Sequence, residues 1–135
     1  MATTYGILSD FHSVDPRIIA PAMKKLVDAE ADALILNGDL FGERNSQNIS
    51  SQDYFATLLN IAGQIGIPTF VSRGSHEVVS VVEPVISHFV KKYSNIFDVF
   101  KNPKIEMKNH DLVFLPGSDT HAGEARRAGY DLQTE

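Results

Sequence analysis

No cysteine occurs in the chain, which excludes a disulfide framework and every thiolate metal site. His, Asp, Glu and Asn are left to hold any metal ion. The absence fits a reducing compartment, and a cytoplasmic location is expected. No apolar run reaches the roughly 18 residues that a membrane-spanning helix needs, and the N-terminus lacks the basic start and apolar core of a signal peptide. The chain is therefore expected neither to span a membrane nor to be exported. Positive charge is also scarce: 12 Lys and Arg against 17 Asp and Glu give a formal net charge of −5, and the 12 are scattered. A nucleic acid is bound by clustered cations that displace its counterions, so nucleic-acid binding has no electrostatic support here. What is present is ordinary globular material, 43% hydrophobic and 21% charged over 135 residues. One domain spanning residues 1–135, with one core, is expected.

The hydrophobic period alternates between short apolar runs and helical spacing. Residues 4–10 (TYGILSD) read as a strand buried on both faces that ends at a polar corner. Ile18, Ile19, Ala22, Met23, Leu26 and Val27 then form one helical stripe behind Asp15 as N-cap and Pro16 as first helical residue, and Pro21 inside the pattern predicts a later start or a kink. ADALILNGDL is a second buried strand ending at Asn37-Gly38-Asp39. Residues 42–52 are polar and read as a surface loop, after which Phe55, Leu58, Leu59, Ala62 and Ile65 define a helix stopped by Gly66 and Pro68. IPTFVSRG is a third strand that breaks at Gly74, and residues 78–93 offer another amphipathic helix despite Pro84. IFDVF and KIEMKNHDLVFLPG look like strands, the second a hairpin turning at residues 108–111. Strands alternating with helices predict right-handed parallel crossovers and an α/β sheet.

Asp10 and His12 follow the first strand, Asn37, Gly38 and Asp39 the second, and residues 72–77 (SRGSHE) the third. Ligands of an open α/β sheet bind in the crevice beyond the carboxyl ends of its strands. These segments, 29 and 37 residues apart (10 to 39, 39 to 76), are therefore expected to converge. A site rich in His and Asp and free of Cys selects borderline divalent ions: Mn, Fe, Co, Ni or Zn. Two such ions about 3.5–4 Å apart can share a carboxylate, activate water and clamp phosphate oxygens during in-line displacement, with Asp39 as the shared ligand.

At these residues the chain resembles the calcineurin-like metallophosphoesterases. Asp10-Phe11-His12, Gly38-Asp39-Leu40 and Gly74-Ser75-His76-Glu77 match, in order and spacing, that family's first three signatures, D-x-H, G-D and G-N-H-[DE]. The resemblance implies an α/β fold, a layered β-sandwich flanked by helices, of which this chain corresponds to the N-terminal part of the four-layer fold. It implies Asp10 and His12 as ligands of a first metal, Asp39 as the bridging ligand, and Ser75 in place of the asparagine that binds a second. His76 is implied to contact the substrate phosphate and to assist the leaving group as an acid, work that suits an imidazole titrating near neutrality. The implied activity is hydrolysis of a phosphomonoester or phosphodiester by metal-bound hydroxide, with up to two divalent ions as cofactors and a phosphate ester as substrate. Two departures bear on it. A serine hydroxyl is a poorer metal ligand than an amide oxygen, and the family's later histidines, one isolated and a pair written G-H-x-H, have no counterpart before Glu135. The alternative is a non-catalytic metal- or phosphate-binding module of the same family.

Structural readings of the same residues stand beside these. Asp10 can be an Asx-turn former and Gly38-Asp39 a turn, and Ser75 can be an N-cap with Glu77 in the first helical turn complementing the macrodipole. Arg73 either binds phosphate or flanks the loop at the surface, and the surface reading is preferred. His88 and His110 read as structural or exposed. LVFLPGSDTHAG repeats the theme of a strand followed by Asp-x-His, and His121 reaches the same crevice if that strand lies parallel to the others. A nucleotide-binding domain of other ancestry is disfavoured, since neither G-x-G-x-x-G nor G-x-x-x-x-G-K-[ST] occurs. A missing half would expose sheet edge and apolar surface, so self-association is expected.

Overall fold

A computed structural model of the chain describes residues 2–41, 49–74 and 76–115. Strands β1 (Tyr5–Leu8), β2 (Ala33–Asn37), β3 (Thr69–Ser72) and β4 (Ile96–Asp98) form a parallel sheet in the order 1-2-3-4. Helices α1 (Pro16–Asp28), α2 (Ser51–Ile65) and α3 (Val79–Lys92) occupy the three crossovers. Strands β5 (Lys104–Glu106) and β6 (Asp111–Val113) pair antiparallel as a separate hairpin.

Pleating divides the strand residues between two cores. Leu34, Leu36 and Val71 face the helices, where Ile19 and Met23 of α1, Phe55, Leu58 and Leu59 of α2, and Val82 and Ile86 of α3 are buried against them. Ala33, Ile35 and Phe70 face the other way and pack with Val99 beneath Ile105, Met107, Leu112 and Phe114 of the hairpin segment. The result is three layers: helices, parallel sheet, hairpin. This is the expected α/β architecture, with one sheet face under helices and the other under a second sheet. The helical side carries most of the buried apolar area, each full side chain contributing about 1.5–3 kcal/mol. The hairpin, held by a smaller cluster, is the layer with less to lose on opening.

Asp15 caps α1 as expected, its carboxylate accepting from the Arg17 N–H at 2.9 Å, and Pro16 follows at the first helical position. Neither Pro21 in α1 nor Pro84 in α3 breaks its helix. Each is exposed, and the carbonyls left without an N–H partner, those of Arg17 and Ser80, belong to exposed residues that water can serve. The polar stretch expected as a loop to Gln52 ends earlier: Ser50 caps α2, its Oγ accepting from the Asp53 N–H at 3.1 Å, so Ser51 and Gln52 are helical. Residues 42–48 lie outside the described residues. Gly66 closes α2 in the left-handed conformation, φ 89°.

Three further expectations are corrected. β1 is not buried on both faces, because it is the edge strand of the sheet and Ile7 is 61% exposed. The hairpin turns one residue earlier than expected, closed by the Met107 N–H donating to the His110 carbonyl at 2.9 Å, with Asp111 already in β6. β6 pairs in the hairpin and not in the parallel sheet, so the condition under which His121 would reach the strand-end crevice is not met. His121 itself lies outside the described residues.

Candidate metal centre

Parallel register aligns the ends of the first three strands, with Leu8 beside Leu36 and Asn37 beside Ser72. The loops that leave them stay laced together. The N–H groups of Asp10, His12 and Ser13 donate to the carbonyls of Gly38, Asp39 and Leu40 at 3.2, 3.2 and 3.1 Å, prolonging the β1–β2 pairing into the loops. The backbone there is strained. Asp10, His12, Ser13 and Asp39 all have positive φ, at 57°, 44°, 67° and 50°. Such conformations cost about 1–2 kcal/mol for a residue with a Cβ, least for Asp, and persist only where surrounding contacts hold them.

Close approach of the loops after β2 and β3 explains two glycines. A Cβ at Gly38, which also has φ 80°, would sit 2.9 Å from the Gly74 nitrogen. One at Gly74 would overlap the backbone nitrogen and the carboxylate of Asp39. Without side chains the two loops touch, and Asp39 is carried to the junction. There its Oδ1 accepts the His76 N–H at 3.2 Å.

Glu77 lies beneath this junction at 1% exposure. Its Oε1 accepts the N–H groups of Leu40 and Phe41 at 2.6 and 2.9 Å, and its Oε2 those of Asp39 and Gly74 at 3.1 and 2.5 Å. Burial pushes its carboxyl above the ordinary range, and the N–H donors pull against that shift. Glu77 is thus not a first-turn residue complementing a helix dipole. α3 begins at Val79 with Val78 as N-cap and no side-chain cap, so the reading of Ser75 as N-cap is also corrected. Sequence reasoning missed this role of Glu77; the acidic preference at the last position of G-N-H-[DE] is the signal that points to it.

The three predicted ligands of the first two loops come together. One ligand atom from each of Asp10, His12 and Asp39 lies within 4.8 Å of the others. Asp10 Oδ1 and His12 Nε2 are 3.8 Å apart, both side chains are open to solvent, and the Ser9 hydroxyl donates to Asp10 Oδ2 at 2.6 Å. His76 joins from the third loop, its ring edge-on to that of His12 with centroids 5.0 Å apart. One further contact fixes the first loop. The Tyr54 hydroxyl of α2, which sequence reasoning did not single out, donates to the Val14 carbonyl at 2.8 Å, and burial pushes its phenol well above the usual range.

Other residues named from the sequence lie elsewhere. Arg73 is buried, not at the surface, with Nη2 3.5 Å from Asp98 Oδ1 and its guanidinium over the Phe100 ring. His88 is exposed on α3 beside Phe89, and His110 is exposed in the hairpin turn, its Nε2 2.5 Å from the Tyr5 hydroxyl. Ser75 lies outside the described residues. A groove of 710 Å³ between Pro21 and Lys24 of α1 and Ile61 and Ile65 of α2 includes none of these side chains, and the chemistry is better sought at the open cluster.

The residues present fit a metal ion. Two carboxylates and an imidazole, without thiolate, are a donor set for a borderline divalent cation. Three protein ligands with open positions correspond to a catalytic site, not a closed structural one. With bonds of about 2.0–2.2 Å in a tetrahedral arrangement, ligand atoms stand about 3.3–3.6 Å apart, so Asp10 Oδ1 and His12 Nε2 at 3.8 Å are nearly in place and the rest of the cluster, within 4.8 Å, closes by up to roughly 1.5 Å. Among the described residues no helix is long and apolar enough to cross a membrane. The profile of the calcineurin-like phosphoesterase family matches residues 3–131. No curated protein matches the chain.

Proposed function

Because the chain belongs to the calcineurin-like phosphoesterase family, we propose that it is a metal-dependent hydrolase of a phosphomonoester or phosphodiester, working at Asp10, His12 and Asp39 in the cytoplasm. The observation that carries this reading is the convergence of those three side chains from two strand-end loops to within 4.8 Å. Asp10 and His12 hold a first ion. Asp39, at the junction with the third loop, is the shared ligand toward a second, for which Ser75 is the candidate further donor. A bound ion supplies a more acidic water and a counter-charge for phosphoryl oxygens. His76 acts on the substrate: its backbone N–H is fixed to Asp39 Oδ1, and its imidazole donates a proton to the leaving oxygen.

One observation favours a second reading, a module that binds metal or phosphate without turnover: the described cluster completes the protein ligands of one ion, not two. Titration calorimetry with Mn²⁺, run beside hydrolysis of p-nitrophenyl phosphate and its bis ester, separates the two. Mn²⁺-dependent turnover that falls at least about 100-fold in Asp39→Asn supports the hydrolase. Binding without turnover supports the module, and turnover indifferent to chelator refutes both.

A further inference from the structure

We infer that Glu77 is the positioning residue of the metal centre: its buried carboxylate holds the loops after β2 and β3 at the separation that presents Asp39 to the ion. The inference rests on the reading of Asp39 as a metal ligand and adds a role for a side chain that touches neither ion nor substrate. Four backbone donors meet this one carboxylate, three from the loop after β2 (Asp39, Leu40 and Phe41) and one from the loop after β3 (Gly74). A carboxylate has about four lone-pair positions, and here all face N–H groups. No other side chain of similar size can replace it. A glutamine would set its NH₂ against two of the donors, and an apolar side chain would leave four buried N–H groups without partners.

The position of Asp39 follows from this brace. Its backbone has φ 50°, next to Gly38 at φ 80°, so neither local propensity nor helix or strand geometry holds the turn. The carbonyls of Gly38, Asp39 and Leu40 are tied to the first loop, and on the N–H side the turn is held by the Asp39 N–H on Glu77 Oε2, with the Leu40 and Phe41 N–H groups fixing the residues that follow. The same Oε2 takes the Gly74 N–H, and the His76 N–H reaches Asp39 Oδ1, so the third loop is registered on the carboxylate that the metal uses. The Glu77 side chain, 1% exposed, is shut off from solvent and from any ligand above the loops. Its influence on the metal is indirect, through the backbone of a ligand, as outer partners of metal ligands commonly act.

The test compares Glu77→Gln, which keeps the shape and loses half of the acceptor capacity, with Glu77→Asp, which keeps the charge and falls one methylene short. Both are first checked for folding by circular dichroism. Mn²⁺ affinity is then measured by calorimetry, and the amide signals of Asp39, Leu40, Phe41 and Gly74 are followed by NMR without metal. The wild type is expected to show these four amides strongly downfield. Glu77→Gln is expected to move them upfield and to weaken Mn²⁺ binding by about 10–100-fold, and Glu77→Asp by about tenfold, toward the lower end. A lower melting temperature with wild-type Mn²⁺ affinity, in whichever variant folds, would overturn the inference by showing a structural role alone. If the wild type binds no Mn²⁺, the proposed function fails, and the brace is judged on the amides: four ordinary shifts, or shifts unmoved in the variants, overturn it too.

Discussion

Replacing Arg73 by methionine is expected to destabilise the protein by about 3–5 kcal/mol, although among the described residues it makes only one ion pair. Its side chain is 1% exposed and that of Asp98 4%, with Nη2 and Oδ1 3.5 Å apart. At that distance and an effective dielectric constant of about 20, the attraction is roughly 5 kcal/mol. The desolvation of each ion is also several kcal/mol, so the pair as a whole is close to neutral while either member alone is costly. Burial holds the guanidinium below its ordinary range against the pull of Asp98, Glu83 and Glu77. Among the described residues none of its side-chain nitrogens finds a hydrogen-bond partner of good geometry, so the charge depends on Asp98 and on the Phe100 ring 3.9 Å from it. Methionine fills similar space and can lie on Phe100, so lost packing is not the main term. What the variant leaves behind is Asp98, buried, with Oδ1 still accepting the Phe100 N–H and its cation gone. Urea unfolding followed by circular dichroism gives the free energy, with unchanged m-values as the check on two-state behaviour. The double variant Arg73→Met with Asp98→Asn should recover most of the loss, coming within about 2 kcal/mol of wild type. A single variant costing less than about 1 kcal/mol, or a double variant equal to the sum of the singles, refutes the account.

Gly74→Ala should damage the metal centre more than the fold. Its Cβ would meet Asp39 Cγ at 2.8 Å and the Asp39 Oδ1 and backbone nitrogen nearer still, where carbon contacts are comfortable at about 3.5 Å or more, so the loops must part by at least roughly 0.7 Å. With misplacements near 1 Å costing about 100-fold, Mn²⁺ affinity and turnover should fall at least about tenfold; wild-type values in both contradict the steric argument. Tyr54→Phe removes the hydroxyl that ties α2 to Val14 and should cost about 1 kcal/mol at neutral pH. Because burial, with the Glu77 and Asp15 charges, raises the phenol in the folded state, its contribution is complete below about pH 10 and is lost as pH rises through the raised value. Wild-type stability should therefore fall more steeply than that of Tyr54→Phe in urea titrations toward about pH 11. Equal slopes, or a phenolate signal from Tyr54 at ordinary pH with the fold intact, count against it.

The fold was legible where the signal was local. Asp15-Pro16 and Gly66 mark helix ends because the capping chemistry belongs to those residues themselves. The start of α2 was just as local: Ser50 followed three residues later by Asp53 is close to a capping box, hidden by the polar run around it. Strand burial was not local. The run Tyr5–Leu8 has the apolar content of a central strand, and only the sheet order makes it an edge that exposes Ile7. Pro21 misled for a related reason, since its cost depends on whether the freed carbonyl meets water, which is a property of the helix's placement.

The candidate site divides along the same line. Its location was legible, because the polar residues Asp10, His12 and Asp39 each follow an apolar run, and parallel strands bring such ends to one edge. What maintains it was not. Of the five non-glycine residues with positive φ among the described residues, four lie in the first two loops of the site. Local preference opposes those conformations, so the forces that hold them must come from far along the chain, and they do: Glu77 reaches Leu40 across 37 positions and Tyr54 reaches Val14 across 40. A reading confined to neighbours sees in Glu77 only a carboxylate a few residues ahead of an apolar helix and gives it to the helix dipole. The donors that claim it instead are backbone N–H groups, which every sequence carries and none displays. A chain that tolerates strain at the loops of its candidate metal centre therefore hides the compensation in residues whose function appears only when the loops are placed side by side.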